Sequence, residues 1–296
     1  MNAELEEYKD WITAGKIASD VREYSKEIIK PGVKLLDVAN KIEDKIKELG
    51  AIPAFPVNLS SDNFAAHYTP SPDDETIIEK QILKVDVGVC YKGAIGDTAF
   101  TLDLSNQNSE LIEASRKAVE NAIKILKVGT TLGEIGKVIE DTIVNLGFQP
   151  IRNLSGHGLD LFQIHTKPSI PNYDNGDTTE IKKGMIFAIE PFATNGGGKI
   201  REGSHPNIYM QTNNRPIRDM ITRKIFEEIK QFKQLPFSTR DLVAKFPLNQ
   251  VKMALKRLMM ANNIHEYPPL PEVSDGLVSQ HEHTILMLDE PVVLTK

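Results

Sequence analysis

One cysteine, Cys90, stands in 296 residues, so no disulfide can close within the chain and cross-links contribute nothing to its fold. Aromatic side chains are sparse, at 6% with a single tryptophan, and no apolar run approaches the roughly 18 residues that a membrane-spanning helix needs. The first eight residues are acidic and lack the basic-then-apolar order of a secretory leader. A reducing cytoplasm is therefore the expected compartment, no membrane is expected as a partner, and the Asn-Leu-Ser sequons at Asn58 and Asn153 carry no glycosylation message.

What is present is an ordinary globular balance, 40% hydrophobic and 26% charged, long enough for one large domain or two smaller ones. The formal net charge of −6 is mild but unevenly spread. Residues 215–270 hold 11 Lys plus Arg against 5 Asp plus Glu, which leaves 24 against 36 for the rest. An acidic body carries a basic segment.

The chain also repeats itself. Residues 30–53 align with 127–150 at a constant offset of 97 without a gap, with ten of 24 positions identical, including the run Ile-Glu-Asp and the closing Leu-Gly. Each copy reads as a turn, an amphipathic helix, a glycine stop and an entering strand. A period near 100 residues is too long for a solenoid and predicts two half-domains about a pseudo-twofold axis, with a functional site at their interface. His67 lies 17 residues after Gly50, and His165 lies 18 after Gly147. Superposing the copies makes these two histidines face each other across the axis.

Periodicity predicts helices over 4–29, 35–49, 108–127 and 132–146, and strands over 51–57, 82–90, 95–103, 149–155, 185–194, 205–210 and 281–289. Helices segregated from hairpin-forming strands indicate an α+β fold with a mostly antiparallel, mixed sheet. Residues 215–270 differ, with a helix over 220–234, a Ser238-Thr239-Arg240-Asp241 cap before a short helix, and a third helix from Leu248 through Met260. This is the pattern of a winged-helix-like insertion. The expected division is 1–210 and 271–296 for one catalytic domain and 211–270 for the insertion.

Five polar residues sit where apolar strands should carry core: Asp86, Asp97, His157, Glu190 and Glu282. Each alone is compatible with a solvated strand face or a salt bridge. Four carboxylates converging on an interior repel one another, and cations relieve that repulsion. One divalent ion would leave about −2, whereas two neutralise the set, the charge count of a dinuclear hydrolytic site. The donors are rich in oxygen, with one nitrogen and no thiolate, which suits Mn, Fe, Co or Zn. Asp86 and Asp97 lie in a tight hairpin, while Glu190 and Glu282 stand 92 residues apart, so the insertion is expected to split the sister hairpin.

These residues resemble the type II methionine aminopeptidases in their short, archaeal-like form. The resemblance is carried by Ala54-Phe55-Pro56, Asn63-Phe64-Ala65-Ala66-His67-Tyr68, the two-aspartate hairpin, Ser155-Gly156-His157-Gly158, Gln163-Ile164-His165, Ala188-Ile189-Glu190-Pro191-Phe192 and Glu282-His283-Thr284, in order over nearly the whole chain. It implies a pita-bread fold in which Asp86, Asp97, His157, Glu190 and Glu282 hold two divalent ions. It further implies removal of the N-terminal methionine of nascent polypeptides by a hydroxide shared between the ions, with Glu190 shuttling the proton. His165 and His67 would contact the transition state and the substrate, and Phe55, Ile164, Phe192, His205 and Tyr267 would line the substrate side. A monomer is expected. A polybasic N-terminus found in longer relatives is absent, so any ribosome contact would fall to the insertion through Arg223, Lys224, Lys230, Lys252, Lys256 and Arg257. The alternatives are a prolidase-like or aminopeptidase P-like exopeptidase, and a non-catalytic relative that binds ribosomes or nucleic acid.

Overall fold

The computed structural model describes residues 3–296. The two repeat copies fold alike: helices Leu35–Glu48 and Leu132–Asn145 keep the offset of 97 at both ends. Each is preceded by a glycine in the left-handed region, Gly32 at φ 91° and Gly129 at φ 92°, and followed by another, Gly50 at 82° and Gly147 at 86°. Two-residue strands follow at Ile52–Pro53 and Gln149–Pro150, again 97 apart. The apolar stripes Leu35, Val38, Ala39, Ile42, Ile46 and Leu132, Ile135, Ile139, Ile143 are buried, which is why both segments fold as helices against the sheet.

The sheet has nine strands, and its ladders run antiparallel. Its longest strands form the hairpin Ile82–Tyr91 with Ala94–Asp103, followed across the sheet by Glu282–Met287, Ile186–Ile189, Ser155–Asp160 and Gln163–Pro171 in that spatial order. Helix Lys9–Ile28 lies on the hairpin so closely that a Cβ on Gly96 would meet the Ala14 carbonyl oxygen at 2.6 Å. Helices Ser109–Ile125 and Leu132–Asn145 cover the other half.

Two of the expected elements were too long. The first helix breaks at Tyr8 into Ala3–Glu7 and Lys9–Ile28. The strand expected over 185–194 is interrupted at Glu190-Pro191, leaving Ile186–Ile189 and Phe192–Thr194. Strands Gln163–Pro171 and Ile264–Tyr267 were not anticipated, because their polar alternation resembles a loop.

The sister hairpin is present, and its two arms flank the insertion. Val278–Gln280 pairs with Phe192–Thr194, and His283 to Leu286 pair with Ile189 to Ile186, in one continuous antiparallel register. Between the arms, helices Met220–Ile229, Thr239–Val243 and Leu248–Met260 pack with a three-stranded sheet, Phe237–Ser238, Ile208–Gln211 and Ile264–Tyr267. Ile225, Phe226, Phe237, Leu255, Leu258 and Tyr209 form a separate apolar core there. The strand Ile208–Gln211 pairs on both edges within this unit, so the unit begins three residues before the expected boundary at 211. No described helix is long and apolar enough to cross a membrane.

Candidate active site

Strand alternation puts Asp86 and Asp97 into a cleft between the two halves, while Glu282 enters from the neighbouring strand and Glu190 from the Pro191 interruption. Asp97, Glu282 and His157 are buried; Asp86 and Glu190 are half-buried and face the cleft. His157 Nε2 lies 3.7 Å from Asp97 Oδ2 and 3.5 Å from Glu190 Oε1. Asp97, His157 and Glu282 each bring one ligand atom within 4.8 Å of the others. Threonine hydroxyls tie the halves together here, with Thr284 Oγ1 accepting from the Asp97 N–H at 2.8 Å and Thr98 Oγ1 donating to the Glu282 carbonyl at 2.9 Å.

The electrostatics of the bare cluster are unfavourable for charge. Burial, partly offset by a hydrogen bond from Gln280, pushes Asp86 up to about 7. Asp97, Glu190 and Glu282 are raised well above the carboxylate range by burial first and by the charges of their fellow acids second. Burial and the neighbouring His165 ring hold His157 down to about 3, so this imidazole is neutral and its contacts with the acids are not ion pairs. Asp86 Oδ1 and Asp97 Oδ1 are buried without a hydrogen-bond partner. Unpaired acceptors around a neutral nitrogen donor form a set that fits divalent cations.

The five residues form one wall of a cavity of about 490 Å³, which Phe55, His67, Ile164, His165, Phe192 and Tyr267 also line. Gly88 makes room for Phe55, since a Cβ there would meet the Phe55 ring at 2.2 Å. His67 and His165 both lean on Tyr267, with ring centroids 5.6 and 6.1 Å away, and His165 stands edge-on to His157 at 4.6 Å. Burial and His165 hold His67 down to about 4; burial also lowers His165, whose accessible surface opens onto the cavity. His67 Nδ1 has no partner.

His205, expected on the substrate side, is not in the cavity. It is exposed in a left-handed turn at φ 61°, which carries it away before Ile208 enters the insertion's sheet. Gln280 was missed: its Nε2 lies 3.5 Å from both Asp86 Oδ2 and Glu190 Oε2. Its place two residues before Glu282, on the same strand face, was the available signal. Ile208 and Pro236, contributed from the insertion's side, were also not foreseen as lining residues.

Residues 11–218 match the family model for Metallopeptidase family M24, and the chain belongs to that family. It is 45% identical over 287 residues to the methionine aminopeptidase of Pyrococcus abyssi, covering 96% of this chain and 97% of that one. Among solved structures it is similar to methionine aminopeptidase from Thermotoga maritima, with a TM-score of 0.72 and 24% identity over 98% and 97% of the two chains. It is also similar to a thermophilic Arx1, with a TM-score of 0.86 and 18% identity over 99% and 91%. The fold is the α+β pita-bread architecture, and the enzyme class is that of a metallopeptidase.

Proposed function

We propose that this chain is a methionyl aminopeptidase that hydrolyses the N-terminal methionine from polypeptides at a site holding two divalent cations. The observation that carries the reading is the wall of four carboxylates and one neutral imidazole, with unpartnered Asp86 and Asp97 oxygens, in a cavity whose other walls are largely apolar. Kinship to a methionine aminopeptidase along 97% of that relative's length supports the substrate and favours it over a prolidase-like or aminopeptidase P-like activity. Asp86, Asp97, His157, Glu190 and Glu282 would hold the cations, drawn from Co, Mn, Fe or Zn. Bound there, the cations would supply the positive charge that keeps the acids ionised, activates water and polarises the scissile carbonyl.

The remaining steps belong to the chain's own residues. Glu190, half-buried at the cavity edge, takes the water proton and passes it to the leaving amine. His165 and His67 are neutral near pH 7, so each carries one N–H; His165 donates to the developing oxyanion, and His67 hydrogen-bonds the substrate backbone. Phe55, Ile164 and Phe192 supply the apolar wall for the methionine side chain, with Tyr267 packed against both histidines. A free α-amine would find its partner at the cation-loaded wall, which would make the action exopeptidic.

The same reading makes the enzyme a cytoplasmic monomer acting on nascent chains, with 208–270 inserted into a catalytic domain formed by the residues on either side. Retention of all five acidic and imidazole residues argues against a purely binding role. A ribosome contact would run through a smaller basic face than composition suggests, because Lys230, Lys252 and Arg257 pair with Glu227, Asp73 and Asp219. The deciding experiment is hydrolysis of a Met-Ala-Ser peptide by metal-stripped protein reconstituted separately with Mn, Fe, Co and Zn. Activity restored by none of the four sinks the proposal.

A further inference from the structure

One basic residue of the insertion points inward. Arg240, on the short helix Thr239–Val243, is only 8% exposed. Its Nη1 donates to Thr69 Oγ1 at 2.7 Å and to the Pro70 carbonyl at 2.6 Å, and its Nη2 forms a buried ion pair with Glu43. Glu43 Oε1 in turn accepts the Val57 N–H at 3.2 Å. Asn207 reinforces the grip, donating to the Thr69 and Pro70 carbonyls at 3.3 and 3.0 Å and accepting from Thr239 Oγ1.

The two gripped segments are the ones that carry substrate-side residues. Val57 lies two residues after Phe55, and Thr69 lies two after His67. His67 holds φ at 62°, a conformation that a non-glycine residue keeps only when its surroundings impose it. Ahead of His67, the Ala65 N–H bonds the Leu270 carbonyl at 2.8 Å; behind it stand Arg240 and Asn207. Ahead of Phe55, the Ala54 N–H bonds the Gly88 carbonyl at 2.9 Å; behind it stands Glu43, held by Arg240. Both residues are therefore clamped on each side, and one guanidinium serves the trailing clamp of both.

We propose that Arg240 is a positioning residue for substrate: through Glu43 and Thr69-Pro70 it fixes Phe55 and His67, so the insertion sets substrate affinity from outside the cavity. This rests on the reading of the cavity as the site for a methionine-initiated peptide. The planar fork is essential to it, because a lysine ammonium cannot serve Thr69, Pro70 and Glu43 in the same geometry. Arg240 touches none of the strands that carry the acids, and Asp86 keeps its ladder to the second strand of its own hairpin, so cation binding and the chemical step should not feel the loss.

The test compares wild type with Arg240→Lys, with Glu43→Gln/Arg240→Met and with Thr69→Val on a methionine-initiated tripeptide. The double variant leaves no buried charge unpaired, which keeps the cost to folding small. The expected result is a KM about tenfold higher for the first two, the size of a misfitted pocket contact. Thr69→Val, which removes one acceptor, should raise KM about threefold. In all three, kcat should stay within about twofold, the signature of lost binding shared by ground and transition states. Bound metal per chain, read by elemental analysis, should be unchanged. An unchanged KM in folded, metal-loaded variants overturns the proposal, as does a fall in kcat that tracks lost metal. A wild-type protein inactive with every cation would instead overturn the reading of the site itself.

Discussion

Asp86 and Glu190 occupy the same station in the two halves of the fold. Val89, three residues after Asp86, pairs with Pro53 of the first repeat copy; Ala193, three residues after Glu190, pairs with Pro150 of the second. The Gln280 amide lies 3.5 Å from both carboxylates. The equivalence of the acids ends with this pair. Across the first hairpin Asp86 faces Ala99 and Asp97 faces Gly88, whereas the register of the second hairpin sets Glu282 opposite Glu190. The halves thus share one acid by descent of the pattern and contribute their second acids from positions two residues apart.

Removing one acid should separate catalysis from folding. Asp97→Ala is expected to abolish hydrolysis of a Met-Ala-Ser peptide and to lower bound metal, while the metal-free chain stays folded because a buried, repelled carboxylate has been taken away. Circular dichroism, elemental analysis and a peptide assay check this. Full activity persisting in the chelator-treated variant would refute the metal mechanism.

Cation binding should expel protons in a pH-dependent way. In the metal-free fold Asp86 is pushed up to about 7, above its ordinary value, so below that pH it holds a proton that a cation must displace. Affinity is therefore expected to rise with pH, and the Asp86 share of proton release to shrink as pH climbs through about 7. Calorimetry at pH 6 and pH 8, in two buffers of different ionisation enthalpy, reads the number of protons released. Equal release at both values would contradict the raised pKa.

Gly88→Ala tests the seating of Phe55. The new methyl would meet the ring at 2.2 Å and displace it, costing about 1–3 kcal/mol of stability as overpacking and raising KM for methionine peptides. Adding Phe55→Leu should recover part of the stability but not the KM. Chemical denaturation and steady-state kinetics measure the two separately.

The insertion's outward charges should be dispensable for chemistry. Lys224→Glu with Lys256→Glu is expected to leave tripeptide hydrolysis within about twofold while abolishing any low-salt pelleting with ribosomes. Pelleting that survives the charge reversal, or that ignores added salt, removes the basic face as the contact.

Much of the site was legible in the sequence because its chemistry is expensive to bury. Asp86 and Asp97 break an apolar alternation within 11 residues of one another, and the repeat at offset 97 reappears as helices with identical spacing at both ends. His205 was misplaced because nothing in its neighbours foretells the left-handed turn that exposes it. Gln280 was passed over because a neutral amide in a strand carries no charge to explain.

The sequence by itself determined the inventory: two related halves, a basic segment between the arms of the second hairpin, and polar groups embedded in apolar strands. Local periodicity and the cost of burying charge suffice for that. Only the tertiary structure decided the meeting of Glu190 with Glu282 across 92 residues, the closure of Tyr267 over two histidines, and the turning inward of Arg240 while its basic neighbours face solvent. Those outcomes depend on long-range strand pairing and on which side of a helix meets the body, and neither is written in any short stretch of chain.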